Sequence, residues 1–177
     1  MTSALLIIDV QQALCSGEHA TFDAAGTVER INQVSARARA AGVPVMLIQH
    51  ETASGPFVHG SPGWALAQGL DVQPADWRVR KTTPDSFHRT DLPTLLQSHG
   101  VRHLVVCGMQ SDFCVDTTTR RALALGYPVT LVSDGHTTVA NGVLSAAQIT
   151  AHHNTTLANI GSFGPRVTLV PAAQVLF

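Results

Sequence analysis

The chain has 177 residues, 45% of them hydrophobic, enough for one domain with a sizeable core. Its formal charge of -1 and a pI of about 6.7 supply no clustered positive field, so neither nucleic acid nor a membrane surface is an expected partner. The start of the chain lacks a basic n-region and its apolar run stops at Asp9, while Cys15, Cys107 and Cys114 show no zinc-type pairing; a cytoplasmic protein with free thiols, without signal peptide or membrane span, is expected.

In chain order, the first strand is predicted over Ala4 to Ile8. Thr27 to Ala41 follows as a helix with Val28, Ile31, Val34 and Ala38 on one face, ended by Gly42. Val43 to Ile48 is the second strand, and a long irregular stretch from Glu51 to Trp77 holds both tryptophans, with Trp64 to Gly69 as a short helix. Arg78 to Lys81 is a weak third strand, and a helix ending at Gly100 is capped by Thr90 with Pro93 in its first turn. Val101 to Cys107 is a strand, and the loop through Cys114 turns into a helix running towards Gly126. Pro128 to Val132, a helix from the capping-box pair Ser145 and Gln148 to near Gly161, and Val167 to Val170 complete the series. Apolar runs without alternation suit strands buried on both faces, and the strand–helix alternation predicts an open, doubly wound α/β sheet.

In such a sheet, ligands bind beyond the carboxyl ends of the strands, and three reactive residues stand there: Asp9, Lys81 and Cys114. Asp9 closes a buried strand, where a carboxylate suits a general base; capping the following loop is the alternative. Lys81 is the chain's single lysine beside ten arginines, which suits a compact, tunable ammonium as well as a solvated strand end. Cys114 falls in the first turn of a helix, where backbone N–H groups can hold an oxyanion. A helix terminus contributes about 0.3 to 1 kcal/mol to thiolate formation, whereas an ammonium at about 4 Å contributes roughly 4 kcal/mol, so Lys81 is the expected activator of the thiol. Cys107 is expected to be an inert core residue and Cys15 a loop thiol.

Leu6-Ile7-Ile8-Asp9-Val10-Gln11, Lys81-Thr82-Thr83-Pro84-Asp85-Ser86-Phe87 and Gly108-Met109-Gln110-Ser111-Asp112-Phe113-Cys114-Val115, with Val132 to Thr138 behind them, resemble the isochorismatase-like cysteine hydrolases, the superfamily that includes nicotinamidases and related amidases. The resemblance spans nearly the whole chain and implies one isochorismatase-like domain over 1–177. It implies a three-layer, Rossmann-like, six-stranded parallel sheet in order 3-2-1-4-5-6 with helices on both faces. Asp9, Lys81 and Cys114 would form the triad, and the N–H groups of Gln110 and Cys114 an oxyanion hole after a cis Met109-Gln110 peptide. The expected reaction is cleavage of a C–N bond of a small amide-like molecule through a thioester, without a cofactor.

Substrate-binding candidates are Gln11, Trp64, Phe87, Met109 and Phe113; Trp64 suits a pocket wall or an interface anchor equally, since members of the superfamily commonly form homo-oligomers, dimers or tetramers. Nicotinamidases carry an Asp-x-His metal pair after the second strand, and Gln49-His50-Glu51-Thr52 lacks it, so no metal is expected. His50, His136, His152 and His153 are read as structural or surface residues. Two alternatives stay open: an ether hydrolase of the isochorismatase type, and a non-enzymatic ligand-binding or redox module using Cys114 as an oxidisable thiol.

Overall fold

The computed structural model describes residues 2–177. Six strands, β1 (Ser3–Ile8), β2 (Val45–His50), β3 (Trp77–Lys81), β4 (His103–Met109), β5 (Val129–Thr137) and β6 (Val167–Val170), form one all-parallel sheet in the order β3-β2-β1-β4-β5-β6. The intervening helices are α1 (Gln12–Cys15), α2 (Ala24–Ala40), α3 (Leu92–Ser98), α4 (Asp116–Ala124) and α5 (Ala146–Asn159).

Successive side chains of β1 feed opposite faces. Ala4, Leu6 and Ile8 join Leu92 and Leu96 of α3, Ala122 and Leu123 of α4 and Leu157 of α5 in one core; Leu5 and Ile7 join Val28, Ile31, Val34 and Ala38 of α2 in the other. Each fully buried Leu or Ile contributes roughly 1.5 to 3 kcal/mol, which explains why the most apolar strand, lacking any alternation, lies inside the sheet. Among the described residues no helix is long and apolar enough to cross a membrane.

Several boundaries differ from the sequence reading. β2 and β4 each begin two residues later than predicted, and β5 runs on through the polar Ser133 to Thr137 because Gly108 and Met109 pair with His136 and Thr137 after an irregular register shift. The capping box of Ser145 and Gln148 is formed; at α3 the cap position falls on Asp91, whose side chain makes no cap bond, while the Oγ1 of the expected Thr90 accepts from Leu92 N–H at 3.3 Å. Trp64 to Gly69 is not a helix. Its backbone is drawn into bonds with the segment after β1 (Gln12 N–H to Ala65 O at 2.7 Å, Ala67 N–H to Val10 O at 3.0 Å), leaving those groups unavailable for helical bonding.

Candidate active site

β1 and β4 lie side by side at the centre of the sheet, and their carboxyl ends carry the two halves of the site. Asp9, the first residue past β1, takes φ 50°, a left-handed value that Asp tolerates better than most residues. Its N–H is tied to Ile48 O at 2.9 Å, which fixes the turn. On β4, Gly108 has φ 124°, and a Cβ there would stand 2.0 Å from Ile8 O; only glycine lets the two strands close up immediately before the Cys114 loop. The Met109-Gln110 peptide that follows is cis. The loop then makes one wide turn of π-helical pitch, Ser111–Val115, in which Val115 N–H donates to Gln110 O at 3.2 Å, before α4 begins.

Lys81 closes β3 and reaches across β2. Its ammonium donates to Asp9 Oδ2 at 2.8 Å, to Cys114 Sγ at 3.2 Å and to the Thr83 carbonyl at 3.2 Å, with His50 Nδ1 at 3.4 Å. Both charged groups are buried. The second carboxylate oxygen, Asp9 Oδ1, is buried without a partner and is free to accept a proton. The structure thus brings Asp9, Lys81 and Cys114 together and adds His50, whose Cα pairs with that of Lys81 across β2 and β3.

The electrostatics bear on the expectation that Lys81 activates the thiol. The Cys114 thiol is pushed up to about 12, first by burial and then by the neighbouring Asp9 carboxylate, and Lys81 only partly offsets this. Lys81 draws the thiol towards ionisation, against the larger opposing effects of burial and Asp9. For Lys81, burial works against the charge, but Asp9 and Cys114 outweigh it and hold the ammonium above the usual lysine range. His50 lies below the ordinary histidine range because it is partly buried and faces Lys81. Burial pushes Cys15 up to about 11 and Cys107 far up.

The remaining candidates fall in different places. Gln11 is fully buried; its side-chain amide donates to His50 O at 3.0 Å and Trp64 O at 2.8 Å while its Oε1 accepts from His50 N–H at 2.9 Å. Both amide hydrogens are therefore engaged in holding β1, β2 and the long loop together. Trp64 lies edge-on to His59, with its indole N–H buried and unpartnered. Met109 points into the α2-side core, where Thr21 Oγ1 donates to its sulfur at 3.5 Å. Phe113 is 53% exposed on the Cys114 loop. Phe87 lies elsewhere: it stacks on Tyr127 and lines a groove with Val101, Arg102 and Gly126, at the amino ends of β4 and β5, away from the strand ends that carry the triad. A cleft of about 420 Å³ borders the site through Gln110 and Phe57, with Leu14, Glu18, His19 and Val139 as its other walls. Phe57 in turn meets the His50 ring edge-on at 5.9 Å.

A polar chain behind the Cys114 loop escaped the sequence reading, which placed His136 among structural or surface residues. Asn154 Nδ2 donates to Ser133 O at 2.9 Å, so Asn154 Oδ1 faces His136 and accepts from its Nε2–H at 3.0 Å. His136 Nδ1 is then the acceptor for Ser111 Oγ at 2.8 Å, and Thr150 Oγ1 donates to Ser111 Oγ at 3.2 Å. Ser111 opens the turn that carries Cys114, so β5 and α5 both anchor this loop.

The comparisons with known proteins follow the same lines. The Isochorismatase domain family matches residues 3–162. A streptothricin hydrolase of Streptomyces noursei is 43% identical over 136 residues, covering 76% of this chain but 49% of that protein, so the match spans about half of the relative's length. A ureidoacrylate amidohydrolase of Variovorax paradoxus is 29% identical over 187 residues, covering 83% of this chain and 73% of the relative. A crystal structure of an isochorismatase family protein superposes with a TM-score of 0.87 at 36% identity, covering 96% of this chain and 98% of the other. By its fold and its sequence alike, the chain belongs to the isochorismatase-like cysteine hydrolase superfamily.

Proposed function

We propose that this chain is a cysteine-dependent hydrolase that cleaves the C–N bond of a small amide-like molecule through a thioester. The observation that carries the reading is the single ammonium of Lys81 joined to Asp9 Oδ2 at 2.8 Å and Cys114 Sγ at 3.2 Å, with Asp9 Oδ1 left free. The names of two relatives, a streptothricin hydrolase and a ureidoacrylate amidohydrolase, support hydrolysis as the reaction type.

In this reading Asp9 takes the thiol proton as Sγ attacks the substrate carbonyl, forming the C–S bond and an oxyanion held by the N–H groups of Gln110 and Cys114. Lys81 keeps the carboxylate ionised and oriented before the attack. Collapse of the intermediate breaks the C–N bond, and the protonated Asp9 gives its proton to the departing nitrogen. The regenerated carboxylate then deprotonates a water, which attacks the thioester; the sulfur leaves and recovers a proton from Asp9. In this reading Phe113, exposed on the Cys114 loop, and Trp64 border the substrate.

The test is a panel of small amides, ureides and lactams assayed for ammonia or amine release. Cys114→Ala should lose turnover by at least about a thousandfold, with an acyl adduct on Cys114 found by mass spectrometry in the wild type. Cys15→Ala and Cys107→Ala should keep most activity. Undiminished turnover by folded Cys114→Ala would end the proposal.

A further inference from the structure

We infer that the Lys81 ammonium occupies a latent divalent-metal site, and that by filling it the lysine keeps thiophilic metals of the zinc class off Cys114. An ammonium has three protons, yet four acceptors surround Nζ: Asp9 Oδ2 at 2.8 Å, Cys114 Sγ and the Thr83 carbonyl at 3.2 Å, and His50 Nδ1 at 3.4 Å. Carboxylate, thiolate and imidazole around one cation are a zinc donor set. One donor atom each from Asp9, His50 and Cys114 lies within 4.8 Å of the others. Zinc bonds of about 2.0 to 2.3 Å would require inward movements of about 0.6 Å at Asp9, about 0.9 Å at Cys114 and about 1.4 Å at His50. Cys114 and His50 are only partly buried and sit at a loop and a strand end, where such a movement is feasible. Asp9, almost fully buried, also holds its unpartnered Oδ1 ready as a second oxygen ligand.

The wild-type cage excludes the metal because a doubly charged ion and an ammonium cannot share it at contact distance. With Lys81 gone, the Asp9 carboxylate is a buried charge without its cation, and a divalent ion restores the balance. Binding forms a metal–sulfur bond and releases the thiol proton to solvent; no electron is transferred. The inference uses the geometry of the cage alone, so failure of the amide-hydrolysis reading would leave it untouched.

The experiment titrates full-length Lys81→Ala with cobalt(II) and then zinc(II), with Lys81→Ser in parallel in case one variant is poorly folded. One metal per chain is expected, with the near-ultraviolet charge-transfer band of a cobalt–thiolate bond, at an affinity at least about a hundredfold above the wild type. Adding Cys114→Ser should abolish the band, and adding His50→Ala should weaken binding. Folding of either variant only when metal is present supports the inference. It is overturned if a folded variant shows no cobalt–thiolate band, if the wild type binds equally well, or if neither variant folds with or without metal.

Discussion

Cys114 has an ammonium and a carboxylate in the same shell, and they pull its acidity in opposite directions. Burial and Asp9 push the thiol up, and Lys81 draws it down by less. Replacing Asp9 should then separate two properties that usually fall together. Asp9→Asn removes a charge that opposes ionisation of the thiol, so Cys114 should be alkylated by iodoacetamide several-fold faster than in the wild type at mildly alkaline pH. Turnover should nonetheless fall by about two orders of magnitude or more, because the proton acceptor is lost. Slower alkylation in folded Asp9→Asn would show that the carboxylate promotes the thiolate at rest. At this scale Asp9, Lys81 and Cys114 were legible because each is a reactive residue placed at the carboxyl end of a buried strand or in the turn beyond one. His50 was not, since its place beside Lys81 depends on the β2–β3 register, which no local pattern encodes. The strength of the burial opposing the thiolate was equally invisible, because it depends on what the fold lays over the sulfur.

Elements, rather than single residues, decide where the Cys114 loop sits. β5 and α5 hold it through the directed chain from Thr150 to Ser111, His136 and Asn154, and this requires His136 to be neutral. Burial lowers His136 from 6.5 to about 4, with a smaller contribution from His153 in the same direction, against opposing effects of Asn154 and Asp134. Between these two values the unfolded chain binds the proton and the folded one does not. Stability contributed by this residue is therefore present above 6.5 and lost as pH falls to about 4, by about 3 kcal/mol over the interval. Urea unfolding of wild type and His136→Gln across that range measures it: the stability advantage of the wild type should shrink by about this amount at acid pH, and a constant difference would refute the assignment. The elements themselves were largely readable from apolar runs, Gly stops and the Ser145 capping box. The errors share one cause: polar β5 residues became strand, and Trp64 to Gly69 became a paired turn, because distant partners supplied their backbone bonds.

The sheet as a whole is closed over a charge pair that links its first strand to its edge. Asp9 follows β1 and Lys81 ends β3, with β2 between them, so the pair spans three adjacent strands while its side chains remain only 3% and 0% exposed. Hydrophobic burial alone would not select ions for such a position, since apolar replacements of a buried pair are often neutral or stabilising, whereas leaving one charge alone costs about 3 to 5 kcal/mol. Their presence is explained if the pair serves the chemistry at Cys114. A double-mutant cycle makes that statement quantitative. Lys81→Met and Asp9→Asn should each lower turnover by about two orders of magnitude or more, and Lys81→Met, which strands the carboxylate, should lower the unfolding free energy by about 3 kcal/mol or more. The double variant should be more stable than the sum of the two losses by at least about 1 kcal/mol, and equally inactive. Additive losses in chemical denaturation would mean that the two groups are stabilised independently, and the pair could no longer be regarded as one unit retained at the expense of stability for its role beside the sulfur.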